Sequence, residues 1–428
     1  MKKLFSLLFW VFALNTSLYS QTKTNTELRD LIKLSFQYFP PIKEVENIEA
    51  SAIEKLNLTK LNKYSDINFN SSYNYMMPKI SFPINGKEIQ FAPVNNFNAS
   101  FGTMYNLFDF GKLKAAVQKD KLEIQTAKHN TLKTKHNLAY QVAVVYYSII
   151  YFQKAIAIQD SVIRFYQENK RFVENKLKNG EALPLDVINL QATIDQEENK
   201  KIDLMASLEK QQSLLEYTTG LKSTSNDNFN FDIEYDPLSI TDGLYYKTNP
   251  SFLIAEDNIL TAKKGLDIIR RNNNPAIALH AASGIKNGYV PNVNEIRFNY
   301  LGGVSLSIPL YGFGKNKQQI RLQESIIKQF DLSKNSLLNE QKKDVDESLI
   351  DIKYNAEKIK HNQNQIDAAL KAQSVTSSRY QHGVATYLDI ISAANNVQKA
   401  RLDQLQNALQ LCLSKIELAK LLGYDYWN

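Results

Sequence analysis

Two carboxylates stand at matched positions in this 428-residue chain. Asp186 lies in NGEALPLDVINLQAT, residues 179–193, and Asp389 in HGVATYLDIISAANN, residues 382–396. Both segments read Gly-x-x-x-x-Leu-Asp, with Gly180 and Gly383 standing 203 positions apart and Leu185 and Leu388 just before the acids. An acid at a helix start accepts hydrogen bonds from free backbone N–H groups and complements the helix dipole. Thr386-x-x-Asp389 has the capping-box pattern, and Pro184 suits a first helical turn. The same acids, repeated around a narrow passage, would create a negative potential that draws cations. The sequence leaves both roles open, capping alone or capping together with lining or latching an aperture.

Other groups with chemical potential do not assemble. Asp109-Phe110-Gly111 spells a kinase metal-binding tripeptide, but the matching positions in the second half are Gly312-Phe313-Gly314 and no catalytic-loop sequence accompanies it. It reads instead as a strand end and helix start, with Gly111 and Gly314 permitting the turn. His129, His136, His280, His361 and His382 are scattered, and His129 and His136 lack the i, i+4 spacing of a zinc helix. Cys412 is the only cysteine, which excludes an intrachain disulfide, and five methionines argue against a soft-metal relay. No nucleophile is matched with a base. The expectation is a protein that is not an enzyme and has no cofactor or metal site.

The elements that position the two acids follow from composition and period. Only 15 Gly and 11 Pro interrupt the chain, leaving long runs of good helix formers. Met1-Lys2-Lys3, an apolar run from Leu4 to Leu14, and a short polar stretch to Ser20 read as a cleaved secretory signal over 1–20, too short to span a membrane. No cysteine follows it, so export without a lipid anchor is expected. The 51 basic and 44 acidic residues form no dense basic stripe, which argues against nucleic-acid binding.

The offset of 203 extends well beyond the turns. It matches Leu107 with Leu310, Phe110 with Phe313, Lys112 with Lys315, Leu208 with Leu411 and Gly220 with Gly423. A period this long is a duplicated half-molecule rather than a solenoid of short units. The expected divisions are a first repeat over 21–220, a linker over 221–244 and a second repeat over 245–428. Each repeat has a helical stretch (about 25–64, then 245–272), a strand pair (about 66–108, then 275–311) and a helical hairpin (112–220, then 315–423). The strand expectation rests on alternation: Ile67, Phe69, Tyr73 and Tyr75; Phe97 to Leu107; and Ile296 to Leu310, apolar at every second residue. Runs of about 9 to 11 residues suit tilted strands of a membrane barrel, or a half-buried sheet in a soluble domain. Lys112 to Lys178 holds no Gly or Pro, and Val142, Val145, Ile149, Phe152, Ile156, Gln159, Ile163 and Tyr166 follow coiled-coil spacing.

The order of signal, strand pairs, Leu-Phe/Tyr-x-Phe-Gly-Lys junctions, helices of about 65 residues and Gly-x-x-x-x-Leu-Asp turns resembles the TolC-like outer-membrane efflux proteins of Gram-negative bacteria. The resemblance covers essentially the whole chain after the signal. Four strands cannot close a membrane barrel, so oligomerisation is expected on physical grounds alone. The resemblance implies a mainly helical fold with membrane β-structure. Three chains would form a twelve-stranded β-barrel, continued by antiparallel coiled-coil helices as a periplasmic α-helical barrel. It implies a passive exit duct for efflux or type I secretion. The partners would be a periplasmic adaptor, an inner-membrane pump of RND, ABC or MFS type, and outer-membrane lipid. Gly180 and Gly383 would then be hairpin tips at a closable aperture, with Asp186 and Asp389 as its acids. Tyr380, Asp186 and Arg379 would form a latch in which the Tyr380 phenol donates to Asp186. The family's tip arginine and second acid are replaced by Ala385 and Ser392. The rival reading is a periplasmic or secreted coiled-coil scaffold with a soluble sheet.

Overall fold

The computed structural model describes residues 28–84, 87–222 and 248–427. The expected signal and nearly all of the expected linker lie outside the described residues. In chain order the elements are α1 (Leu28–Tyr38), α2 (Pro40–Leu61), β1 (Ile67–Tyr75), β2 (Ser81–Ile84), β3 (Lys87–Gln90), β4 (Asn95–Phe108), α3 (Lys112–Lys178) and α4 (Pro184–Thr219). The second half continues with α5 (Pro250–Arg271), β5 (Ala276–Lys286), β6 (Arg297–Ser307), α6 (Lys315–Gln381) and α7 (Tyr387–Leu422).

The duplication is visible element by element. The helices α3 and α6 match at an offset of 203, as do α4 and α7, whereas Pro40–Leu61 and Pro250–Arg271 match at 210. The change of offset falls between the strands, where the first half carries an extra antiparallel ribbon, β2 with β3. The single helical stretch expected over 25–64 is two helices. Phe39 is extended (φ −71, ψ 119) because the following Pro40 disfavours helical backbone before it.

At 67 residues each, α3 and α6 are rods of roughly 100 Å. The heptad positions Val142, Val145, Ile149, Gln159, Ile163 and Tyr166 are buried. Leu138, Val142, Ile149 and Ile150 pack with Leu31 and Ile32 of α1, Leu208 and Leu215 of α4, and Cys412 and Ile416 of α7. Part of α3 is apolar and long enough to cross a membrane by composition. Its place at the centre of four helices explains that composition as a core. Laterally, α3 lies between α4 and α7, and α7 pairs with α6, giving the order α4-α3-α7-α6.

Strands β1, β4, β5 and β6 form an antiparallel sheet in the order β1-β4-β5-β6, apart from the β2–β3 ribbon. Register places Ile67, Phe69, Tyr73 and Tyr75 on one face with Phe97 and Phe101, then Leu279 and Ile285, then Phe298, Tyr300, Val304 and Leu306. Nothing among the described residues covers this apolar face; Phe298 is 71% and Tyr300 84% exposed. The other face carries Asn68, Asn70, Ser72, Asn98, Ser100, Asn299 and Ser305. A soluble half-buried sheet would bury the first face and wet the second, so the exposed apolar face favours the membrane reading of the alternation. Aromatic residues gather toward both ends, with Tyr73, Tyr75, Phe298 and Tyr300 near the loops and Tyr105, Phe108, Tyr311 and Phe313 near the helices, as in the girdles of membrane barrels. Strand β4 has 14 residues, longer than expected, while β6 stops at Ser307 short of the alternation that runs to Leu310.

Candidate functional site

Both strand-helix junctions use the same left-handed pair. Phe110 and Gly111 have φ of 51° and 84°, and Phe313 and Gly314 have 49° and 76°. A non-glycine residue rarely adopts this region, so its recurrence at both junctions marks a sharp turn that each half requires. Asp109 caps α3, accepting from Gly111 N at 2.9 Å and Leu113 N at 2.6 Å. Arg271 Nη1 donates to Phe110 O at 2.6 Å, tying the junction to α5.

At the far end of the helices, the two turns close identically. Gly180 N donates to Leu177 O and Glu181 N to Lys176 O, and Gly383 N and Val384 N repeat this with Tyr380 O and Arg379 O. This is the Schellman closure, with Gly180 (φ 78°) and Gly383 (φ 76°) in the left-handed conformation it needs. The return helices then start on their acids. Asp389 Oδ2 accepts from Thr386 N at 2.7 Å and Thr386 Oγ1 at 2.8 Å, and the Thr386 hydroxyl accepts from Asp389 N at 3.3 Å. Among the described residues Asp186 Oδ2 accepts only from Leu183 N, at 3.3 Å, because leucine supplies no hydroxyl. The Thr386 backbone and hydroxyl bonds, with the Arg379 charge, hold the Asp389 carboxyl below the usual carboxylate range. Asp389 is therefore both a cap and an exposed negative charge. The apolar tip residues Leu183, Leu185, Val384 and Leu388 project into solvent.

Of the expected latch residues, Tyr380 and Asp186 come near each other, without the expected bond. Burial, and then the nearby Asp186 charge, push the Tyr380 phenol above its ordinary pKa. Among the described residues no hydrogen bond joins it to Asp186. Its ring instead packs on Phe172, with centroids 6.0 Å apart, and Lys176 Nζ lies 5.0 Å over Phe172 and 5.7 Å over Tyr380. Lys176 Nζ also donates to Gln381 O at 3.4 Å, bridging the two hairpins. Arg379 acts electrostatically on Asp389 and makes no ion pair with Asp186 among the described residues. Sequence reasoning missed Lys176 and Phe172; the signal was that Lys176 stands 203 positions before Arg379.

A buried polar layer farther from the tips was also missed. Glu197, only 2% exposed, accepts from Gln159 Nε2 at 2.7 Å, Gln398 Nε2 at 3.1 Å and Lys200 Nζ at 2.7 Å. Gln398 Nε2 also donates to Gln159 Oε1 at 2.8 Å, joining α3, α4 and α7. Burial pushes the Glu197 carboxyl up, but hydrogen bonds from Lys200, Gln159 and Gln398 and the Lys200 charge hold it below its ordinary value. A glutamine at a heptad seam position, Gln159, was the clue. Among the described residues no group of three or more His, Cys, Asp or Glu is placed to hold a metal ion.

This arrangement of duplicated hairpins on a membrane-type sheet recurs in solved structures. The chain matches CusC at 16% identity, with TM-score 0.77 over 94% of this chain and 93% of that one. It matches the outer-membrane channel OprN at 14%, with TM-score 0.79 over 94% and 91%. The outer membrane protein VceC from Vibrio cholerae matches at 16%, with TM-score 0.77 over 93% and 96%. No curated protein sequence matches the chain at a significant level. The family model described as outer membrane efflux protein matches residues 54–221 and 245–424. With most of its length matched in both halves, the chain belongs to the outer membrane efflux protein family.

Proposed function

We propose that three copies of this chain form a passive exit duct in the outer membrane, extending into the periplasm, without a lipid anchor and with a closable aperture at the hairpin tips. The duct serves a tripartite efflux or type I secretion system. A periplasmic adaptor links it to an inner-membrane pump of RND, ABC or MFS type, which supplies the energy. The observation that carries this reading is the open sheet, with its exposed apolar face and unpaired edges β1 and β6. Open edges are not tolerated in lipid, and four strands are too few to close. The same features argue against a soluble coiled-coil scaffold.

The repeat supplies the closing register. The pairing of β4 with β5 joins the two halves within one chain, so β6 with β1 of the next copy is its counterpart. Thr103 opposite Ala281 and Tyr105 opposite Leu279 become Leu306 opposite Ser71 and Ile308 opposite Phe69. That pairing extends β6 past Ser307 by covering residues that are unpaired in the single chain. Likewise α5 packs on both α3 and α6, whereas α2 packs mainly on α3 and leaves Ile48, Ile53 and Leu58 exposed for α6 of a neighbour.

At the aperture, Asp186 and Asp389 form the acidic rim, and the contacts of Phe172 and Lys176 with Tyr380 and the Gln381 carbonyl keep one chain's two tips in register. Arg379, as the counterpart of Lys176, reaches the Lys178 carbonyl of the next copy and acts as the latch between chains. The test places cysteines at Leu306 and Ser71 in a Cys412→Ser background. Outer-membrane fractions oxidised without reductant are expected to yield a covalent trimer. A protein recovered as a detergent-free soluble monomer would refute the duct.

A further inference from the structure

The polar face of the four-stranded sheet carries two like charges side by side. Lys286 of β5 stands directly opposite Arg297 of β6, and Asn98 of β4 and Ser72 of β1 complete the row. Like charges facing each other across an antiparallel pair are destabilising. No Asp or Glu lies in any of the four strands to offset them. The one other ionisable group on this face is His280, deeper in the sheet and opposite Gly303. The neighbouring row is Asn70, Ser100, Gly284 and Asn299, neutral throughout.

The charged row sits at the end of the sheet far from the helices, where residues 76–94 and 287–296 connect the strands. Those two connections hold Lys79, Lys87, Glu88 and Glu295, whose charges sum to zero. The excess at this end is therefore the two charges of Lys286 and Arg297, repeated in every copy. Local partners do not remove it. Arg297 Nη2 lies 2.8 Å from Glu295 Oε2, but both side chains are exposed to water, where such a pair is worth little and gives way to a stronger partner. Lys286 Nζ lies 5.0 Å over the Tyr289 ring, a contact that leaves its charge in place.

We propose that this row is an anion site at the outer mouth of the barrel, one in each copy, and that it takes a carboxylate or phosphate group of the departing cargo. This rests on the duct reading above, which turns the polar face toward the lumen. The guanidinium of Arg297 offers a planar fork to two oxygens and Lys286 a point charge one strand spacing away, about 4.8 Å. The Asn98 amide adds a neutral donor. An anion held between the two cations removes the repulsion that the bare row carries. Lipid phosphates lie outside the apolar face of the same strands, so the anion that reaches the row comes from the lumen. The duct then presents opposite charge at its two ends, acid at the tips and base at the outer mouth.

The test is calorimetry on detergent-purified trimers at low ionic strength, with citrate as the probe and inorganic phosphate as a second. Citrate is expected to bind the unaltered trimer, and Lys286→Gln combined with Arg297→Gln to weaken binding at least tenfold. Glu295→Gln, which frees Arg297 and leaves both cations in place, is expected to strengthen it. Raising KCl to about 1 M, where the Debye length falls to ~3 Å, is expected to abolish binding in the unaltered protein. A trimer that does not bind citrate, or binds it equally in the Gln variants and in high salt, overturns the site alone. A chain that never assembles into a trimer fails the duct reading first, and the site with it.

Discussion

Replacing Gln398 by Leu removes two hydrogen bonds from the buried layer, one to the Glu197 carboxylate and one to the Gln159 carbonyl oxygen. A bond to a charged group contributes about 1.5 to 3 kcal/mol and a neutral one about 0.5 to 1.5 kcal/mol. The local cost is therefore about 2 to 4 kcal/mol, or roughly 30- to 900-fold in the equilibrium for opening α7 away from α3. Hydrogen exchange by mass spectrometry on the intact assembly reads that opening directly, since amides in 391–402 exchange through it. Gln398→Leu is expected to speed exchange in this segment while residues 138–150, in the core of α3, stay protected. Replacing Gln159, Glu197 and Gln398 together by Leu is expected to recover most of the protection, because no buried polar group is then orphaned. The depressed Glu197 carboxyl adds a pH signature. Its contribution is present above the unfolded value, near the ordinary 4.5, and is lost as pH falls through the lower folded value. Exchange that changes only a few-fold in Gln398→Leu, or a triple variant less protected than the single one, would refute the reasoning.

Arg379→Met, which keeps an unbranched apolar stem without the guanidinium, is expected to raise single-channel conductance more than Tyr380→Phe, since the Tyr380 hydroxyl makes no hydrogen bond to Asp186 among the described residues; equal effects would count against a latch between copies. Asp389→Asn retains an oxygen for the Thr386 bonds but removes the charge, so planar-bilayer reversal potentials are expected to show weaker cation selectivity with little change in melting temperature. A lower melting temperature with unchanged selectivity would leave capping as its whole role. Gly111→Ala and Gly314→Ala each force a side chain into the left-handed region, at roughly 1 to 2 kcal/mol. Gly111→Ala is expected to inactivate faster on heating, because its Cβ would meet Arg271 Nη1 at 2.8 Å, whereas Gly314 has open space around it.

Much of the architecture was legible in one dimension because it depends on local period. An unbroken run from Lys112 to Lys178 with heptad spacing admits only a long helix, and apolar residues at every second position of β6 define a face whatever lies beside it. The duplicated turns were equally plain, since a left-handed glycine and an acid three residues inside the next helix are local requirements. The β2–β3 ribbon was not anticipated, although Asn85-Gly86 stands between its strands as a turn signal; its strands are too short to show a period. The Tyr380–Asp186 hydrogen bond was expected and is not made among the described residues; the Tyr380 ring instead packs on Phe172 beneath Lys176 of the other hairpin. The layer of Gln159, Glu197 and Gln398 joins residues as many as 239 positions apart. Only packing decides such a group. Which polar side chains face each other across a seam depends on the axial alignment of separate helices, and no local period carries that alignment.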